Sequence, residues 1–168
     1  MPAMPAHPPA TLGTLLRHLI EKLDGAVEQS YVESGLAYRP RYTPVVRALM
    51  ASGPASIRSI SRTAGITHSA ASQTVAQMVE NGLVRLEAGS DARERIVVLT
   101  PAAKAMIPKL EQHWHATNDA ARMLDSELSM PLSELLREAI AALDRASFTQ
   151  RIDKASAKLK RSKSRKKA

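Results

Sequence analysis

From Ser56 to Thr100 the spacing of apolar residues switches from a helical to an alternating period, and that switch restricts the chain to few folds. Ser56 is a good N-cap, because its hydroxyl can accept from a free N–H of a first helical turn. Ile57, Ile60 and Ala64 follow at helical spacing. Gly65 ends this helix, since glycine enters the left-handed backbone region at little cost. Thr67 is placed to cap a second helix, along which Ala71, Val75 and Met78 or Val79 form the inward stripe. Asn81-Gly82 stops it. Leu83-Val-Arg-Leu-Glu87 then alternates apolar and polar, Ala88 to Glu94 is polar and turn-rich, and Ile96-Val-Val-Leu99 returns as an apolar strand. Thr100 caps a new helix whose first residue, Pro101, has no N–H to lose. Two short helices, a tight turn and a hairpin make a winged helix-turn-helix, which sets its second helix into the DNA major groove.

The residues on the outer face of that second helix fit the task. His68, Ser69, Ser72, Gln73, Thr74 and Gln77 are expected there, an uncharged set able to donate and accept hydrogen bonds. A merely solvated helix would more often carry Glu and Lys. Small polar side chains near a helix N-terminus suit close approach to base edges and phosphates, and Gln73 could pair in a bidentate way with adenine. At the hairpin tip, Arg93 and Arg95 are expected to contact DNA. Arg93 would enter the minor groove, whose negative potential attracts guanidinium, and Asp91 is near enough to orient it.

These motifs resemble the MarR family of bacterial transcription regulators. Asp91-x-Arg93 followed by Leu99-Thr100 is similar to that family's wing signature. Ile66-Thr67 through Ser72-Gln73, with Val75 and Gly82-Leu83-Val84, is similar to its recognition helix and exit. Ala103 stands where the signature usually has glycine. The resemblance extends more loosely from about Thr11 to Arg151, with helices in the expected order. It implies a mainly α fold with a small β-hairpin wing, in which N- and C-terminal helices build a dimerisation domain. It also implies a homodimer on double-stranded DNA with a near-palindromic operator. An effector, small and aromatic or anionic, is expected in a cleft between the region before the winged segment and the dimer helices. Tyr31, Tyr38, Tyr42 and Arg47 are its candidate contacts, with Arg39 and Arg41 nearby. The plainer reading is that the tyrosines pack and the arginines are solvated.

The flanks complete this organisation. Residues 1–10 are rich in Pro and Ala and are expected to be disordered. A single domain is expected over residues 11–153, with dimerisation helices at 11–34 and 101–153 and the winged helix-turn-helix at 42–100. Leu12, Leu15, Leu16, Leu19, Ile20, Leu23 and Val27 form one continuous stripe. Val45, Val46, Leu49 and Met50 mark the inner face of a short helix starting at Tyr42 or Thr43. Pro101 to about Met123 reads as a long helix kinked at Pro108, with Met106, Ile107, Leu110, Trp114 and Ala121 inward. Leu132 to Phe148 carries the stripe of a final helix. His113-Trp-His115 is not a chelating pair, because residues two apart on a helix face different ways.

Charge narrows the function classes. The formal net charge is +8, yet residues 154–168 hold eight Lys and Arg and no acid, while residues 1–153 balance 16 basic against 16 acidic residues. The excess lies in a basic tail, expected to be disordered, so local patterning has to carry the case for DNA. With no cysteine there is no disulfide, thiolate metal site, cysteine nucleophile or cysteine-based oxidant sensor. No phosphate loop, nucleophile pattern or metal-ligand spacing points to an enzyme, a cofactor or a metal. No signal peptide or membrane-spanning run is present, so a cytoplasmic, nucleoid-associated protein is expected. The competing expectation is an architectural nucleic-acid-binding protein that relies on the tail and reads no sequence.

Overall fold

A computed structural model describes residues 10–89 and 95–165, with side chains described as far as Lys158. The chain divides into two compact units, one ending at His115 and the other starting at Ala116.

The first unit opens with helix α1, Leu12–Glu33, whose N-cap Thr11 accepts from the Thr14 N–H at 3.2 Å. A 3-10 turn at Pro40–Tyr42 leads into α2, Thr43–Ser52. Strand β1, Ala55–Ser56, precedes α3, Ile57–Ala64, and α4, His68–Glu80. Strands β2, Val84–Ala88, and β3, Arg95–Leu99, form the wing. Helix α5, Pro101–Glu127, begins in this unit and ends in the next.

The caps are those dictated by the local residues. Ser56 accepts from the Ser59 N–H at 3.4 Å and Thr67 from the Ala70 N–H at 3.2 Å. Gly65 takes φ 66°, ψ 28°, and the Ile66 N–H returns to the Ser61 carbonyl at 3.1 Å. Thr100 serves two elements. It accepts from the Ala103 N–H at 3.2 Å, starting α5, and donates to the Gly82 carbonyl at 2.8 Å, tying the wing's root to the exit of α4.

The sheet has one strand more than expected. β3 lies between β2 and β1, with Ala55 opposite Val97 and Ser56 opposite Ile96. Two residues show no period, so this strand has no sequence signature. The core lies between α2, α3, α4 and this sheet. Val45, Leu49, Ile60, Val75, Met78, Val97 and Leu110 are buried together with Tyr31, Tyr38 and Tyr42. Met50, expected inward, is 39% exposed, while Ala48 takes the inner position.

Much of α1 lacks cover within its own unit. Tyr31 is its buried residue, whereas Leu12 is 67% and Ile20 55% exposed.

In the second unit, the end of α5 is followed by α6, Leu132–Arg145, and α7, Phe148–Arg165. Asp125 joins the first two by accepting from both the N–H and the hydroxyl of Ser133, at 3.3 and 2.6 Å. Ala121, expected inward, is exposed. The expected single final helix is two. Ser147 and Gln150 close a reciprocal capping box at 3.0 and 3.2 Å, and Arg151 donates to the carbonyls of Ala142 and Ala146. The basic tail is helical as far as Arg165 rather than irregular. Ala, Lys and Arg are strong helix formers, and the capping box gives them a start. α6 buries no residue, and Leu135, Leu136, Ile140, Leu143, Phe148 and Ile152 are exposed on α6 and α7.

Among the described residues no helix is long and apolar enough to cross a membrane.

Candidate nucleic-acid interface

Helix α4 rests on the core through Ala71, Thr74, Val75 and Met78, spaced at steps of one, three and four. Thr74 therefore departs from its expected place. It is buried at 8% exposure, because the 100° step from one residue to the next brings it round to the same side of the helix as Ala71 and Met78. Ser69 and Gln73 are exposed on the opposite side, His68 is exposed in the first turn, and Ser72 and Gln77 are half-buried at the margins. The first turn of α4 has no acidic residue, so apart from the Thr67 cap on the Ala70 N–H its positive dipole end meets no carboxylate of its own. This face can donate to phosphate oxygens and both donate to and accept from base edges.

The far end of α4 is held from the 3-10 turn. The Asn81 side-chain amide donates to the Tyr42 hydroxyl at 3.1 Å and to the Gln77 carbonyl at 2.7 Å. Arg41 donates to the Gln77 side-chain oxygen at 3.2 Å. Arg58 and Arg62 are exposed basic residues on α3 outside the motifs that carry the resemblance. Their four-residue spacing was the available signal.

In the wing, Val84 pairs with Leu99 and Ala88 with Arg95, which sets Arg95, exposed, at the outer end of the hairpin. Arg85 and Glu87 on β2 neutralise each other at 2.7 Å. Asp91 and Arg93 lie outside the described residues.

The four candidate effector contacts separate into two kinds. Tyr31, Tyr38 and Tyr42 are at most 4% exposed and form an edge-to-face series, with ring centroids 5.2 and 5.6 Å apart. Burial pushes the Tyr38 phenol well above its usual range, against a smaller opposing effect of its hydrogen bond to Thr43, so it stays neutral. Arg47 is exposed, its guanidinium 5.7 Å from the Trp114 ring centroid. The Trp114 ring nitrogen is buried without a hydrogen-bond partner. His113 meets the Ser30 hydroxyl at 3.0 Å and the edge of Tyr31.

Residues 35–94, which hold the 3-10 turn, α2, β1, α3, α4 and β2, match the family model described as MarR family. The winged segment is similar to the MarR family. MarR proteins are DNA-binding transcription regulators and not enzymes. Solved structures agree on the fold. The M. tuberculosis transcriptional regulator MOSR, in complex with DNA, is 20% identical with a TM-score of 0.61, over 82% of this chain and 96% of that one. A MarR family regulator from Silicibacter pomeroyi is 22% identical with a TM-score of 0.53, over 88% and 99%. Bordetella bronchiseptica BpsR, whose DNA binding is regulated by 6-hydroxynicotinic acid, is 22% identical with a TM-score of 0.50, over 84% and 96%. No curated protein matches the chain.

Proposed function

We propose that this protein is a sequence-specific regulator that binds a near-palindromic operator as a homodimer and represses transcription. The observation that carries this reading is the outward face of α4. It presents His68, Ser69 and Gln73 to solvent with no acid in the first turn, on a helix anchored by its other side to a packed core. Gln73, Ser72 and Gln77 contact bases or neighbouring phosphates, and Asp91, Arg93 and Arg95 serve the wing. Exposed leucines along α1, and separately along α6, support a second copy as their cover, since runs of exposed apolar side chains mark association surfaces. Two recognition helices related by a two-fold axis read half-sites about one helical turn apart. A cytoplasmic, nucleoid-associated location follows.

A small aromatic carboxylate is the effector class this reading favours. BpsR responds to one, and here Arg47 is an exposed guanidinium beside an aromatic ring. Of the four candidate contacts, Arg47 can meet a ligand directly, while the three tyrosines would have to leave the core or act through it. Trp114 is the chain's single tryptophan, so titration with hydroxynicotinic or benzoic acids should change intrinsic fluorescence, and Arg47→Ala should abolish the change.

The deciding experiment is selection of bound sequences from a random duplex pool, with the full chain and with residues 154–168 removed. An enriched inverted repeat in both supports the dimeric sequence reader. Replacing Arg93 by Ala should then weaken operator binding by roughly 1–3 kcal/mol. No enrichment, with binding lost on truncation, would replace this reading by an architectural one resting on the tail.

A further inference from the structure

Gln77 lies one turn beyond Gln73 on α4, half-buried at the margin of the outward face. A free glutamine amide offers a carbonyl acceptor and an NH₂ donor side by side, which is why glutamine can read adenine through both N6 and N7. Gln77 is not free in this sense. The Arg41 guanidinium donates to its side-chain oxygen at 3.2 Å. Its backbone carbonyl is engaged by Asn81 at 2.7 Å, which fixes the last turn of the helix beneath it. Arg41 is exposed, and among the described residues it is in no ion pair, in contrast to neighbouring Arg39, which faces Glu28 at 3.9 Å. A planar cation at the amide oxygen has two effects. It takes up one of that oxygen's two lone pairs, and its charge repels the partial positive charge of an incoming amino group such as N6 of adenine or N4 of cytosine. The NH₂ end of Gln77 remains available.

We propose that Arg41 makes Gln77 a donor-only reader, so that the base it faces is chosen for acceptors: O6 and N7 of guanine, or O4 of thymine. This rests on the reading of α4 as the recognition helix. Arg41 is a positioning residue in this role. It acts on specificity through Gln77, from an element outside the helix-turn-helix.

The test compares full-length wild type, Arg41→Met, Arg41→Lys, Gln77→Ala and the Arg41→Met/Gln77→Ala double variant by selection from a random duplex pool. Gln77→Ala defines the base position concerned by flattening preference there. Wild type should favour guanine or thymine at that position. Arg41→Met should shift the preference toward adenine by roughly three- to tenfold, the scale of one hydrogen bond. Arg41→Lys, which keeps a donor and a charge, should retain the wild-type preference, and Arg41→Met should add nothing in the Gln77→Ala background. An equal loss of affinity on every sequence with Arg41→Met would assign Arg41 to a phosphate and overturn the proposal. So would a shift that persists without Gln77. An enriched repeat that is indifferent to Arg41→Met overturns this inference alone. No enriched repeat with wild type overturns it together with the function above.

Discussion

The side-chain amide of Asn81, at the exit of α4, donates to the buried hydroxyl of Tyr42 across 3.1 Å. The bond joins the end of the candidate recognition helix to the 3-10 turn and, through the Tyr42 ring, to the aromatic series that continues to Tyr38 and Tyr31. Tyr42→Phe removes the acceptor and keeps the ring. It should cost about 1 kcal/mol in urea unfolding. Tyr42→Ala also opens a cavity and should cost about 3–5 kcal/mol. A cost for Tyr42→Phe equal to that of Tyr42→Ala would mean that the hydroxyl, and not the ring, holds this junction.

Gly65 sets the angle between α3 and α4 from the left-handed region, and a Cβ built there meets nothing within 4 Å. Its replacement therefore tests backbone conformation alone. Gly65→Ala should destabilise by about 1–2 kcal/mol, and Gly65→Asn by less, because asparagine tolerates this conformation better. Equal losses in chemical denaturation would point to an unrecognised steric contact.

Thr74 and Gln73 are adjacent in sequence and face opposite ways, one into the core and one to solvent. Thr74→Val should leave operator affinity within about twofold, as for a residue away from the interface. Gln73→Ala should lower it by roughly 1–3 kcal/mol, with relaxed preference at one base position. A reversed pattern in a binding assay would place the interface on the wrong side of α4.

Asp125 is held below the usual carboxylate range, chiefly by the hydrogen bond from the Ser133 hydroxyl. A depressed folded-state pKa means that the contact contributes fully above the ordinary aspartate value. The contribution is lost as the pH falls through the lowered one. A carboxyl-resolved NMR titration should show the depressed midpoint, and Ser133→Ala should move it back up. A midpoint unchanged by Ser133→Ala would remove this cap from the α5–α6 junction.

The winged segment was largely legible because its signals are local. Ser56, Gly65 and Thr67, and Thr100 in its capping of α5, each act within a few residues of themselves, and these roles are recoverable from residue type and spacing. What escaped depends on distance or on competing local signals. The pairing of β1 with β3 joins segments far apart in sequence. The Arg41–Gln77 contact spans 36 residues. Polarity alone points Thr74 outward, whereas helical geometry turns it into the core. At the C-terminal end an unbroken leucine stripe masked the Ser147–Gln150 capping box, which was in plain view and divides α6 from α7. The tail's charge suggested disorder, while its Ala, Lys and Arg content also favours a helix.

The two-residue strand β1 has a consequence for how recognition can vary. Because β3 is hydrogen-bonded on both sides, the middle of the wing's second strand is bolted to the start of α3 by backbone pairing as well as by the packing of Val97 against the core. Side chains at the hairpin's outer end can be exchanged without loosening that mount. Mutation could thus retune what the wing touches at little structural risk, much as a tool holder accepts new bits, whereas an altered Ala55–Ser56 backbone would misalign every wing fitted to it.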